Sequence, residues 1–199
     1  VNLPFYGFSR GLCRVLIRAL YGFRALAPQN VPATGAVIVA CNHVSYLDPV
    51  VLGIGFRRPV TYLAKKELFK IPVLGPIIVG LGVYPLDREA GGVAAVRAAL
   101  RALKEGRCVG IFPEGTRNLT GEVEGKGGAA LLGALSGAPV VPAAISGTRH
   151  ARPFHPIRVI YGEPIIVQRK RKADGDDLAK WTEEIMRRIR ALEESIGDN

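Results

Sequence analysis

Cysteine is scarce and scattered. Cys13, Cys41 and Cys108 make an odd count, and no Cys-x-x-Cys pair occurs. This argues against a disulfide framework or a thiolate zinc site and for a reducing compartment. Acidic residues are also few, 17 against 27 lysines and arginines, giving a formal net charge of +10. A surface of that sign favours a polyanion, either nucleic acid or anionic lipid headgroups. No uncharged run is long enough to cross a bilayer, which takes about 20 apolar residues. The best candidate, Ile71 to Leu86, is shorter and holds Pro72 and Pro76 ahead of Pro85. It reads as a buried or interfacial helix followed by a strand. The N-terminal segment is too charged for the apolar core of a signal peptide. Gly-x-Gly-x-x-Gly is absent, which weakens a dinucleotide reading, and so is Gly-x-Ser-x-Gly, which weakens a serine-hydrolase reading. Gly125-Lys126 is not a Walker A loop, because Gly127 stands where Ser or Thr is required.

What is present is a chain of 199 residues, 48% hydrophobic, sized for one domain with a real core. Residues 3 to 27 read as helical. Arg10, Arg14 and Arg18 recur every fourth position as a basic stripe, beside Phe5, Phe8, Leu12, Val15, Leu16, Ala19 and Phe23. Such a helix suits a membrane interface, or packs on the core with its arginines in water. Beyond Gly35, short apolar runs alternate with helical ones. Strands are expected at 36–41, 60–64, 82–86, 107–112, 138–145 and 157–165. Helices are expected at 91–106, 126–137 and 178–195. The alternation predicts an α/β layered fold with a largely parallel, mixed sheet flanked by helices. An interfacial helical region at 1–29 would precede a domain at 30–199.

Chemistry concentrates at strand ends. Strand 36–41 runs into Asn42-His43, with Asp48-Pro49 opening the next element. On a helix, His43 and Asp48 would lie about 140° apart, so they meet only if the chain turns between them. A carboxylate bonded to one imidazole nitrogen leaves the other to take a proton. Alternatively, Asp48 or Ser45 is only a helix cap and His43 only a turn residue. Strand 107–112 runs into Pro113-Glu114-Gly115-Thr116-Arg117. Gly115 permits close backbone approach, Thr116 and Arg117 offer donors to a phosphate, and Glu114 steers Arg117 or accepts from a hydroxyl. The bland reading is a polar loop with its own Glu–Arg pair. Arg88, after the strand at 82–86, is a second phosphate ligand or a partner of Asp87. Lys126, opening a helix with Gly127 and Gly128, suits an anion. Cys41 ends an apolar run and reads as a buried structural cysteine rather than an acyl-carrying thiol. His150 and His155 have no matching acid cluster, so no metal site is expected.

Taken together, these blocks resemble the glycerolphosphate and lysophosphatidic acid acyltransferase family over roughly residues 30 to 165. Its hallmark, Asn-His, four residues, then Asp, is matched by Asn42, His43 and Asp48. A glycine-led strand ending in arginine is matched by Gly82 to Arg88, Phe-Pro-Glu-Gly-Thr-Arg by 112–117, and an apolar strand around Val-Pro by 139–142. The sequence departs at Asn118, Pro85 and Gly128, none of which removes a functional group.

The resemblance implies an enzyme that moves a fatty acyl group from acyl-CoA or acyl-carrier protein to the sn-2 hydroxyl of lysophosphatidic acid, forming phosphatidic acid. Glycerol-3-phosphate or another lysophospholipid is the alternative acceptor, and a thioesterase or phosphoester hydrolase the rival activity. His43 would be the base and Asp48 its orienting carboxylate, with Asn42 in support. Arg88, Glu114, Gly115, Thr116, Arg117 and Lys126 would hold the acceptor phosphate. No cofactor or metal is implied, since thiolate leaves readily; the acyl thioester is a cosubstrate. The expected partner is an anionic phospholipid membrane rather than nucleic acid. The expected location is the cytoplasmic face of the cell membrane, peripheral or monotopic.

Overall fold

The computed structural model describes residues 2–86, 91–115, 125–169 and 174–197. Helix α1 (Leu3–Tyr21) opens the chain and is capped by Asn2, whose Oδ1 accepts from the Phe5 amide. It ends earlier than its periodicity predicts because Gly22 turns left-handed, at φ 58°, which costs glycine little. Phe23 is therefore not helical but buried in the core. The next three residues form a strand missed in the sequence, β1 (Arg24–Leu26).

The remaining elements are β2 (Val37–Cys41), α2 (Asp48–Ile54), β3 (Val60–Thr61), β4 (Leu63–Lys65), α3 (Leu74–Gly80) and β5 (Tyr84–Leu86). Then come α4 (Gly91–Lys104), β6 (Cys108–Ile111), α5 (Gly128–Ser136), β7 (Val140–Ser146), β8 (Arg158–Tyr161) and α6 (Gly175–Ile196). Six strands form one sheet in the order β1-β8-β7-β2-β6-β3, with every pairing parallel except β7 with β8. The expected mixed, largely parallel sheet is therefore present.

Strand β2 lies between β7 and β6 and is buried along its whole length. That is why it reads as an unbroken apolar run. Its side chains alternate between two cores. Val37, Val39 and Cys41 pack toward α1 and α2, with Ile17, Val51 and Leu52. Ile38 and Ala40 pack toward α4, α5 and α6, with Ala102, Leu132 and Ile185.

The strand expected at 60–64 is split. Val60 and Thr61 join the main sheet, while β4 leaves to pair in parallel with β5 in a separate two-stranded sheet. Tyr62 sits at the break and lays its ring over Gly110 of β6, where a Cβ would collide with it. The uncharged segment from Ile71 supplies α3 and β5 as expected. However, Val73, Ile77 and Val79 are turned outward rather than buried. No helix among the described residues is long and apolar enough to cross a membrane.

Candidate active site

Strands β2, β6 and β7 run parallel and end on the same edge of the sheet. Open α/β sheets place their ligands at such carboxyl edges. His43 follows β2, Phe112 to Gly115 follow β6, and Thr148 follows β7, so residues distant in sequence converge.

The chain turns between His43 and Asp48, and the two side chains meet at 2.9 Å, Nδ1 to Oδ2. Asp48 begins α2 but does not cap it. Its Oδ2 instead accepts from the Val44 and Ser45 amides, both at 2.7 Å, tying the preceding turn together. Its Oδ1 accepts from the Thr148 hydroxyl at 2.7 Å. Four donors thus fix a carboxylate that is fully buried. Because a carboxylate accepts, the imidazole Nδ1 donates, and in the neutral ring that tautomer has its lone pair at Nε2. The ring keeps 17% of its side-chain surface exposed and stacks on Phe112 at 4.2 Å. Phe112 stacks in turn on Tyr62 at 6.2 Å. The imidazole is therefore held on one edge by Asp48 and on one face by an aromatic layer.

Asn42 acts as a peptide mimic. Its Oδ1 accepts from the Ile145 amide at 2.8 Å and its Nδ2 donates to the Ile145 carbonyl at 3.0 Å, prolonging the β2–β7 ladder by a side chain. Nδ2 also donates to Glu193 of α6 at 2.6 Å. Glu114 is buried, and its Oε2 accepts from the His43 amide at 3.2 Å, joining the two motif loops. Gly115 adopts φ 71° and lies against Lys126, whose Nζ would be 3.1 Å from a Cβ there. The Lys126 amide donates to the Pro113 carbonyl at 2.7 Å. Helix α5 begins at Gly128, so Lys126 lies before it rather than in its first turn.

Of the residues singled out in the sequence, Asn42, His43, Asp48, Glu114, Gly115 and Lys126 form one connected group. Arg88, Thr116 and Arg117 lie outside the described residues. Cys41 is buried, and burial, followed by the nearby Asp48 charge, raises its thiol pKa well above the ordinary value. It is a packing residue. Thr148 and Glu193 were not foreseen. The signal for Thr148 was its place just beyond a parallel strand's carboxyl end; Glu193 gave none.

Beside this site an apolar groove of about 200 Å³ runs between α1 and α2, lined by Pro49, Gly53, Ile54, Val60 and Tyr62 among others. Tyr62 borders both the groove and the Phe112–His43 stack.

The family model described as Acyltransferase matches residues 23–146. The chain belongs to the acyltransferase family. It is 32% identical to a 1-acyl-sn-glycerol-3-phosphate acyltransferase of Bacillus subtilis (strain 168), covering 96% of this chain and 98% of that protein. To the Streptococcus pneumoniae protein of the same name it is 25% identical, over 96% of this chain and 74% of that one. Among solved structures it resembles the 1-acyl-sn-glycerophosphate acyltransferase of Thermotoga maritima, with a TM-score of 0.74 at 29% identity. That match covers 98% of this chain and 80% of the other. As a family member the chain is an acyltransferase of phospholipid synthesis.

Proposed function

We propose that this acyltransferase moves a fatty acyl group from a thioester, acyl-CoA or acyl-carrier protein, to the sn-2 hydroxyl of lysophosphatidic acid, giving phosphatidic acid. The observation that carries this reading is the His43–Asp48 pair, with Asp48 fully buried and the imidazole still partly exposed. The acceptor is the one for which the Bacillus subtilis and Streptococcus pneumoniae relatives are named, and the site chemistry suits that reaction.

In this mechanism Nε2 removes the proton as the sn-2 oxygen attacks the thioester carbonyl carbon. Asp48 stabilises the imidazolium that forms. The tetrahedral adduct collapses, the C–S bond breaks, and the thiolate takes the proton back from Nε2. Base catalysis of this kind supplies roughly 10²- to 10⁴-fold; positioning the hydroxyl against the thioester supplies much of the rest. Lys126 beside Gly115 supports a phosphate grip at that turn. Arg88, Thr116 and Arg117 complete it in this reading, and Glu114 braces the turn against the His43 amide. The apolar groove at Tyr62 suits a fatty chain.

Membrane association at the cytoplasmic face is part of the same proposal. Helix α1 turns Phe8, Leu12, Val15 and Leu16 outward. Anionic lipid attracts a chain of charge +10. The test is an assay of the purified chain with one acyl-CoA and a panel of glycerol-3-phosphate and several lysolipids. Wild type should acylate lysophosphatidic acid preferentially and release little free acid from donor alone. His43→Ala should lose roughly 10²-fold or more in kcat. Turnover of donor without acceptor would instead reveal a thioesterase.

A further inference from the structure

A second charged feature lies at the opposite edge of the sheet. Arg10 and Arg14 of α1 converge with Arg57 and Arg58, which follow α2, on a cleft of about 630 Å³. Three of these guanidinium groups are held in place by main-chain carbonyls. Arg10 Nε donates to Phe56 at 2.7 Å and Arg14 Nη1 to Ile54 at 3.1 Å, covering carbonyls at the end of α2. Arg58 donates to Pro32, Gly35 and Gly106, so it is fixed at the amino ends of β2 and β6. Arg57 is exposed and has no hydrogen-bond partner among the described residues.

Capping accounts for the placement of Arg10 and Arg14 but not for the company they keep. No aspartate or glutamate lines the cleft. None of the four arginines is ion-paired among the described residues. The charges of Arg14 and Arg57 add to burial in lowering the Arg10 pKa. Such crowding is relieved by an anion, and planar forks held by backbone contacts are pre-organised for phosphate oxygens.

We propose that this cleft binds a phosphate group. It is distinct from the acceptor-phosphate turn at Gly115 and Lys126, which lies at the carboxyl edge. The length of β2, about 3.3 Å per residue, separates the two edges. It does not depend on the acyl-transfer reading. The neighbouring α1, with its outward apolar stripe, favours the headgroup of an anionic phospholipid as the source. The soluble alternative with the same chemistry is a diphosphate such as that of a nucleotide-bearing acyl donor.

Arg57→Glu tests the site without removing any backbone contact. Arg97→Glu, at an exposed position of α4 on the other core, matches it in net charge. Partitioning of the full chain is measured on vesicles of phosphatidylcholine alone and with added phosphatidylglycerol. Arg57→Glu should weaken binding to the anionic vesicles on the order of tenfold relative to Arg97→Glu, with neutral vesicles unaffected. If partitioning is equal but inorganic pyrophosphate raises the melting temperature less in Arg57→Glu than in Arg97→Glu, the site takes a soluble phosphate. Identical behaviour of the two variants in both measurements overturns the proposal.

Discussion

Thr148 holds the one oxygen of Asp48 that faces away from His43. Its hydroxyl and the two turn amides leave the carboxylate a single orientation, so His43 is aimed through Asp48 by a residue 100 positions beyond that carboxylate. Replacing Thr148 by valine keeps the volume but leaves Oδ1 buried without that donor, which costs about 1–3 kcal/mol. If His43 is the base as proposed, the expected outcome is a fall in kcat of roughly tenfold, since a loss of about 1.4 kcal/mol in its aim is a factor of ten. KM for the acyl donor should change little, and Thr148→Ser should restore the rate. Steady-state kinetics of the three proteins, with melting temperatures alongside, checks this. A melting temperature that falls while kcat holds would mean Thr148 serves stability alone.

At the scale of elements, the unexpected tie is between α6 and the end of β2. Glu193 reaches 151 residues back to Asn42, whose amide already pairs with Ile145 of β7. Docking of the last helix is thereby coupled to the residue preceding His43. Glu193→Ala removes a charge-assisted bond worth about 1.5–3 kcal/mol at most. It should lower kcat several-fold with donor KM unchanged. Glu193→Gln, which keeps an acceptor for Asn42 Nδ2, should recover most of the rate; failure of glutamine to do so would refute a positioning role. What the sequence revealed and concealed follows the same division. The runs forming β2, β6 and β7 were legible because a strand buried on both faces is apolar throughout. The His43–Asp48 pair was legible through the family resemblance, whereas its spacing alone left a helix cap and a turn residue also open. β1 was hidden because a three-residue edge strand exists only by pairing with β8, far along the chain. The split of 60–64 was hidden because it depends on Gly110 admitting the Tyr62 ring. The arginine repeat on α1 predicted one continuous basic stripe. In the structure Arg18 is exposed while Arg10 and Arg14 turn inward to carbonyls at the end of α2, which no local pattern announces.

Over the whole molecule, outward apolar residues form a band rather than a single helix face. Phe5 packs against α3 at Gly80, and the Asn2 amide donates to the Gly80 carbonyl, so the start of α1 meets the end of α3. Val73 and Ile77 extend the band at one end of α1. Phe154, whose amide donates to the Leu20 carbonyl at 2.7 Å, extends it at the other. Val73 and Phe154 are 75% and 88% exposed. Both adopt left-handed backbone, at φ 70° and 69°. Large side chains in that region cost roughly 1–3 kcal/mol each, and exposure to water returns nothing to offset it. Insertion into a lipid interface does, because each buried methylene is worth about 0.8 kcal/mol. Phe154→Gly should therefore separate stability from membrane binding. It relieves the backbone and should raise the melting temperature slightly, while weakening partitioning onto neutral vesicles on the order of tenfold. Phe8→Ser with Leu12→Ser should weaken partitioning further at unchanged melting temperature. Phe5→Ser, by contrast, should lower the melting temperature through lost packing on α3. Flotation and calorimetry on the four proteins decide the matter: if Phe154→Gly floats like wild type, the band ends at α1 and the strain at Phe154 serves something else.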